Sequence, residues 1–416
     1  MSAYQIAGQV FEGNDRRLPA VLASLHGQKF RPLCLCVRPH PEMYIAKMGT
    51  RYLLKRMPNT GSGHSPECDS FEPPAELSGL GEVLPAIEEN IEDGTTALKL
   101  SFSLTKVAGR TPPVPSGKEP ETAKSAGSKL GLRSTLHYLW EQAGFSRWSP
   151  SMTGKRSWSV IRKYLLQAAE RKRTKGTALN DLLYIPEPFF LDHKDEIAQR
   201  RLAHLHRVLV RQPGHAQQLM LLLAEVKQII PARFGQKLVA KQLPDCPFML
   251  SDDLHQRIVK LFDKDLALWN ATEGSHLVIM GTFSAGPTGV LSLHELAFMT
   301  CNHDWLPVEN TYEDRLIAAL SKAHRRFVKG MRYQLPTNRP LASVVLSDTQ
   351  PRPVACYIVP PGASAEYEAE LTQLIEKSEL ESWCWHTDRE EIPELPGRNG
   401  SAAVTPAQTA PEPAFA

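Results

Sequence analysis

The sequence predicts an α+β, multidomain chain with a small β-rich N-terminal module, a basic helical middle and an α/β C-terminal domain. Three observations carry this expectation. Short β-like runs separated by turns fill the chain to about residue 105. Basic residues then gather in a helical stretch behind a segment rich in Pro, Ser, Gly and Lys. From about Arg233 to Pro396, strand and helix patterns alternate.

In the first module, residues 1–105, the runs YQIAGQVF, RPLCLCV, MYIAKM, RYLLKRM and ALKLSFSL read as strands. Acidic residues run from Glu67 to Asp93 with no intervening Lys or Arg, a stretch that repels DNA or offers a protein contact surface. Residues 106–129 lack an apolar period and read as a flexible linker.

The basic helical domain spans 130–232. GLRSTLHYLWEQAGF and SWSVIRKYLLQAAER each place apolar residues on one helical face: Leu132, Leu136 and Leu139 in the first, Ile161, Tyr164, Leu165 and Ala168 in the second. Their cations include Arg156, Arg162, Lys163, Arg171, Lys172 and Arg173. With Trp140, Trp148 and Trp158 nearby, they suit a winged-helix or helix-turn-helix module that meets DNA phosphates. The same pattern also fits a solvated surface over core tryptophans. Residues 233–396 form the α/β domain, and 397–416 have the composition of a disordered tail.

The 416 residues are 42% hydrophobic and 22% charged, and 48 Lys and Arg face 45 Asp and Glu, so overall charge selects no partner. A cytoplasmic protein without a membrane partner is expected, because no run of about 18 apolar residues occurs and the N-terminus lacks a signal-peptide pattern. Seven scattered cysteines argue for reduced thiols or a metal site rather than a disulfide framework.

One cysteine group stands out. Cys34 and Cys36 form a C-x-C, and GSGHSPEC supplies His64 and Cys68, which together make a tetrahedral donor set for a structural zinc ion. His40 is a rival ligand. Alternatively, Cys34 and Cys36 share a strand face and merely pack.

In VENTYEDRLIAALSKAHRRF, Glu313 lies on the same helical face as Leu316, Ile317 and Leu320, so a metal or a basic partner has to compensate a buried carboxylate. His324, Arg325, Arg326, Lys329 and Arg332 follow, suited either to phosphate or to the helix C-terminal dipole. ASVVLSD and VACYIV read as a strand pair joined by a turn with Pro351 and Pro353. A literal E-x-K also occurs at Glu225 and Lys227, after an apolar strand. It is a candidate catalytic pair or, more blandly, a strand end.

These C-terminal segments, with AEYEAELTQLIEK and WCWH, and with LKRMPNTGSGHSPEC, TLHYLWEQAGFSRW and LYIPEPF upstream, resemble an uncharacterised bacterial family. It is catalogued as domain of unknown function 1173, is met on conjugative elements and plasmids, and has no assigned activity. More distantly, the C-terminal helix and strand order is similar to PD-(D/E)xK nucleases of the very-short-patch-repair and competence-protein type. That resemblance implies a restriction-endonuclease-like fold and a magnesium site made by a helix Glu, a strand Asp and a second-strand Glu, with a Lys two residues on. By position these fall at Glu313, Ser343, Cys356 and Ile358. A hydroxyl and a thiol supply neither missing charge, and isoleucine cannot assist hydroxide. Asp348 is a poor substitute: about 16 Å along the strand and on the other face, it reads as a turn residue.

The function expected is therefore a DNA-binding accessory protein of a mobile or conjugative element, with a catalytically degenerate nuclease-like domain. The alternatives are an active Mg-dependent endonuclease with migrated acids (Glu313 with Glu225, Lys227 or Asp348) and a protein-binding scaffold using the acidic 67–93 stretch.

Overall fold

The computed structural model describes residues 3–48, 50–106, 129–209, 216–286, 288–389 and 391–398. Most of the expected linker (107–128), the tail from 399 onward and His215 lie outside these residues.

Strands β1 (Ala3–Ile6) and β2 (Gln9–Glu12) form a hairpin. Its two turn residues, Ala7 and Gly8, both have positive φ, the geometry that matches strand twist in a two-residue loop. Helix α1 (Leu18–Leu25) packs Leu18 and Leu22 on Ile6 and Phe11. Strand β3 (Leu33–Cys34) then adds to β1, and β4 (Met43–Met48) and β5 (Arg51–Arg56) make a second hairpin.

After the short helix α2 (Leu80–Val83) come β6 (Ile87–Glu89), β7 (Thr96–Leu98) and β8 (Thr105–Lys106). The expected helices follow as α3 (Leu132–Gln142) and α4 (Trp158–Ala169), with β9 (Arg147–Trp148) between them. A small hairpin, β10 (Lys172–Thr174) and β11 (Thr177–Ala178), leads through α5 (Leu179–Leu182) to β12 (Leu183–Tyr184). β10 pairs in parallel with β7, so one sheet, β11–β10–β7–β6, draws strands from both sides of the 106–129 segment. One core does the same, joining Val83 and Leu98 to Leu136, Trp140 and Ile161.

The region expected as one α/β domain contains two separate sheets. Helix α6 (Lys194–Leu209) and β13 (Gln217–Gln218), which pairs with β8, precede a long strand, β14 (Met220–Pro231). The barrel continues with β15 (Gln236–Ala240), β16 (Leu243–Leu250), helices α7 (Asp252–Leu261) and α8 (Asp263–Ala271), β17 (His276–Ala285) and β18 (Leu291–Cys301). The first half of β14 pairs with β17 and the second half with β15, bending at an irregularity between Val226 and Gln228. The ring β14–β15–β16–β18–β17 closes back on β14, with β16 and β18 parallel. Leu222, Leu238, Phe248, Ile279, Phe283 and Phe298 fill the barrel. Leu221, Leu223, Val278, Met280 and Met299 point outward into the core shared with α3 and α4. Both faces of these strands are covered, which is why LMLLLA shows no alternation.

The C-terminal unit runs α9 (Thr311–Lys322), β19 (Phe327–Lys329), β20 (Ala342–Leu346), β21 (Val354–Val359), α10 (Ala365–Lys377) and β22 (Glu381–His386). The three strands β19 to β21 form an antiparallel meander, and α10 crosses over to set β22 parallel to β21. The anticipated pair ASVVLSD and VACYIV is the centre of this sheet. Helix α9 covers one face with Leu316, Ile317 and Leu320, and α10 covers the other with Tyr367 and Leu371. Each helix starts at a side-chain cap: Asn310 accepts from the Glu313 N–H, and Ser364 from that of Tyr367. Among the described residues no helix is long and apolar enough to cross a membrane.

Candidate functional site

The sequence brings Cys34, Cys36, His64 and Cys68 to one point. β3 ends at Cys34 and the following turn carries Cys36 round, while a short 3-10 turn, Gly61–Gly63, presents His64. Glycine is required at 61, because a Cβ there would lie 2.6 Å from the Glu72 Cβ. The four donor atoms lie within 4.8 Å of one another. Cys34 Sγ and Cys68 Sγ are 3.7 Å apart, and His64 Nδ1 is 3.4 Å from Cys36 Sγ and 3.8 Å from Cys68 Sγ. A tetrahedral zinc ion with Zn–S about 2.3 Å and Zn–N about 2.0 Å sets its ligands about 3.5–3.8 Å apart, so the donor set fits zinc.

Backbone N–H groups of Ser65 and Ser70 donate to the sulfurs of Cys36 and Cys68, each at 3.4 Å. The Cys34 thiol beside it holds Cys68 down, to about 4, against the opposing effect of burial. His40 is not part of the group; its Nδ1 lies 2.7 Å from the Val37 carbonyl. His64 Nε2 is buried without a hydrogen-bond partner, so this ring is not braced from behind as many metal-bound histidines are. Among the described residues, this is the one group of three or more His, Cys, Asp or Glu close enough to share an ion.

In the C-terminal unit, Glu313 is 3% exposed and pairs with a cation. Lys329 Nζ donates to its Oε1 at 3.0 Å, and the Glu309 N–H donates to Oε2 at 2.9 Å. Of the two compensations open to a buried carboxylate, the basic partner is present. Lys329, 2% exposed, comes from β19, on the same sheet face as Phe327. Cys356 lies in the core under α9 with Val344 and Leu346, and Ser343 sits at a register irregularity of β20. Arg332 and Arg133 surround Glu309. Burial works against ionising Glu309, but Arg332, Arg133 and Lys329 outweigh it and hold the carboxyl down at about 2. The folded pKa lies below the unfolded one, so this stabilisation is present above about pH 4.5 and is lost as pH falls toward 2. Denaturant midpoints measured from pH 6 to 2.5 are expected to fall less steeply for Glu309→Gln than for the wild type.

The remaining candidate cations of this end divide. Arg325 is buried against Asp348, donating Nε at 3.1 Å and Nη2 at 2.9 Å. Arg326 is exposed, and its backbone N–H caps the same carboxylate. Asp348 is thus an ion-pair residue and holds no metal-ligand group.

The E-x-K candidate does not assemble. Glu225 is buried on β14 and accepts from Lys241 Nζ at 2.6 Å, with His276 Nδ1 also at 2.6 Å. Burial opposes its ionisation, but His276 and Lys241 together lower its pKa. His276 in turn stacks on Trp305 with ring centroids 3.7 Å apart. Lys227 is exposed at the irregularity of β14, away from this pairing.

Most of the middle basic residues are structural. Arg156 donates to the Phe145 and Arg147 carbonyls and lies over the Phe145 and Trp148 rings, and burial pushes it down to about 10. Arg162 donates to the Ile185 carbonyl, and Arg171 reaches back to that of Asp93. Lys172 is buried, bonded to Thr96 Oγ1 at 3.0 Å, and burial pushes it down to about 8. Trp140, Trp148 and Trp158 are buried core residues. Lys163 and Arg173 remain exposed. Part of the acidic stretch is paired from within its own module: Arg56 pairs with Glu72, and Lys99 with Glu88.

A polar cleft of about 370 Å³ lies beside the cysteine cluster, lined by Lys55, Arg56, Glu72, Glu141, Arg147 and Lys172 among others. Burial pushes Glu141 up to about 7, although Tyr333 donates to its carboxylate. Sequence reading missed this cleft because its residues come from β5, α3 and β10, far apart in the chain.

Neither the curated proteins nor the solved structures contain a match to the chain. The family described as "Protein of unknown function (DUF1173)" matches residues 4–388, and the chain belongs to it.

Proposed function

We propose that this chain is a nucleic-acid-binding accessory protein of a bacterial mobile or conjugative element, carrying a restriction-endonuclease-like domain without nuclease chemistry. One observation carries the reading. The unit α9–β19–β20–β21–α10–β22 runs helix, meander, crossover helix and parallel strand, an order that supports a nuclease-like core. Yet the positions for its acids hold Ser343 and Cys356, and its helix glutamate is neutralised by Lys329. The DNA-facing part of the reading rests on α4 and the β10–β11 hairpin, a helix followed by a wing, where Lys163, Arg173 and Lys175 are exposed. The Cys34, Cys36, His64 and Cys68 group holds a structural zinc, since four protein ligands leave no open position for water.

The test is binding of labelled single- and double-stranded DNA across salt, with and without Mg²⁺. Intact DNA and salt-sensitive binding are expected. Lys163→Glu with Arg173→Glu should weaken duplex binding and reduce the magnitude of the log–log salt slope by about 1.8, from about 0.9 per lost phosphate contact. Mg²⁺-dependent cuts, absent in Glu313→Ala, would establish an active nuclease instead. No binding to either DNA at low salt leaves the scaffold reading.

A further inference from the structure

Away from the Cys34, Cys36, His64 and Cys68 group, the barrel presents a second surface. Its strand order β14–β15–β16–β18–β17, the parallel contact of β16 with β18, and the helices between β16 and β17 are those of the five-stranded Greek-key barrel called an OB-fold. In such barrels the outer face of the second and third strands, with the loop between the first two, is the surface that takes oligonucleotides. Here those strands are β15 and β16. The opposite wall, β14, β17 and β18, is already used, packed on α3 and α4.

The free face has the chemistry of a strand-binding platform. Ile230, Lys237 and Met249 are directly paired across β14, β15 and β16, so their side chains form one outward row, each half-buried. At the end of that row the β14–β15 turn carries Phe234, 77% exposed, the most exposed of the large hydrophobic side chains among the described residues. The turn is tight: the Ala232 N–H donates to the Gly235 carbonyl at 3.1 Å. Gly235 has φ +73°, and a Cβ there would lie 2.2 Å from the Leu250 carbonyl oxygen. This geometry holds Phe234 out of the core. Its ring is flanked by the Arg233 guanidinium, 5.4 Å from the centroid.

Charge on this face is of one sign, with Lys227, Arg233 and Lys237 exposed or half-exposed along the row and its turn. The acid on β16, Asp245, lies toward its other end and is paired with Arg201 at 2.7 Å. Asp252 and Asp253 fall in the first turn of α7, where the helix N-terminus favours negative charge.

We propose that this face binds single-stranded nucleic acid, with Phe234 stacking on a base and Arg233, Lys237 and Lys227 meeting the phosphates. The proposal rests on the nucleic-acid reading above and gives it a strand class and a site. Stacking suits an unpaired strand because every base has a π-face, whereas a duplex hides its bases. Three cations spread from the β14 irregularity through β15 to the β14–β15 turn follow a backbone, whereas a neutral oligosaccharide would leave them uncompensated.

The deciding experiment is fluorescence anisotropy of the full chain with a mixed-sequence single-stranded oligonucleotide and with the corresponding duplex, across salt. Phe234→Ala is expected to weaken single-strand binding about tenfold or more, the loss of one base–aromatic stack, and to leave duplex binding unchanged. Arg233→Gln with Lys237→Gln is expected to reduce the single-strand salt slope by about 1.4, from about 0.7 per phosphate contact. Unchanged melting of each variant, natural for side chains already in solvent, checks the fold. Single-strand binding that Phe234→Ala leaves intact overturns this site and leaves the broader reading standing. Absence of any DNA binding by the wild type overturns both. Concentration-dependent self-association lost in Phe234→Ala, without strand binding, overturns the proposal in favour of a protein contact.

Discussion

Protein prepared without a histidine tag is expected to carry one zinc ion per chain, and its removal is expected to unfold the N-terminal module. Structural zinc in small domains contributes about 10–16 kcal/mol of apparent binding free energy at neutral pH, which is folding free energy when the site does not exist in the unfolded chain. The part of this module from the first hairpin to Cys68 has little else to rely on. Its apolar centre is Ile6, Phe11, Leu18 and Leu22 with a few partly covered neighbours, and the second small cluster is built from Cys34, Cys68 and Met43. Cys68→Ser or Cys36→Ser should therefore lose the metal and lower the melting temperature of this region by many degrees, whereas His40→Ala should do neither. Metal analysis and melting with a strong chelator read both outcomes. Metal-free protein whose melting is indifferent to chelator and added zinc would falsify the site and leave three thiols packed around a histidine.

The second large effect is expected at Glu313. In an active nuclease the helix glutamate is a metal ligand, and its removal abolishes cleavage at modest cost to stability. Here it is one half of a buried ion pair with Lys329, both groups almost wholly inaccessible. Glu313→Ala leaves a buried ammonium whose remaining bond is to the Gly330 carbonyl, and breaking such a pair costs about 3–5 kcal/mol. Glu313→Leu combined with Lys329→Met removes both charges and is expected to recover most of that loss, because the pair's Coulomb gain barely exceeds its desolvation cost. Urea unfolding of the two single variants and the double variant measures the coupling. If Glu313→Ala proves as stable as the wild type, the pair is not holding the sheet to α9.

How much of this was legible in the sequence depends on the reach of each interaction. The Cys34, Cys36, His64 and Cys68 group was legible because its members sit in two short motifs with local geometry of their own, C-x-C and GSGHSPEC. Glu313 on an apolar helix face followed from helical spacing alone. Its partner did not, because Lys329 reads as one more residue of a basic run, and only the strand alternation of Phe327, Val328 and Lys329 turns it inward. Arg156, Arg162 and Arg171 looked like phosphate ligands because composition records a charge and not the carbonyl it meets. The barrel was hidden for a related reason. Its closure depends on β14 meeting β17 and on β16 meeting β18, pairings that no local pattern encodes, and KLVAKQL or HLVIMGTF fits either sheet equally well.

The sheet that joins β7 to β10 also orders events in time. As the chain leaves the ribosome, the loop that brings Cys34, Cys36, His64 and Cys68 together can close early, a contact within 34 residues of chain with a modest loop-closure cost. The segment just behind it completes its packing later. β7 can pair with β6 but gains its second neighbour only with β10, and Leu77 and Gly79 meet their partners later still, at Tyr357 and the Met331 carbonyl on the far C-terminal side. Synthesis thus produces a finished knuckle followed by an unfinished acidic tether, whose dense negative charge keeps it soluble and unlikely to pair wrongly until its partners emerge.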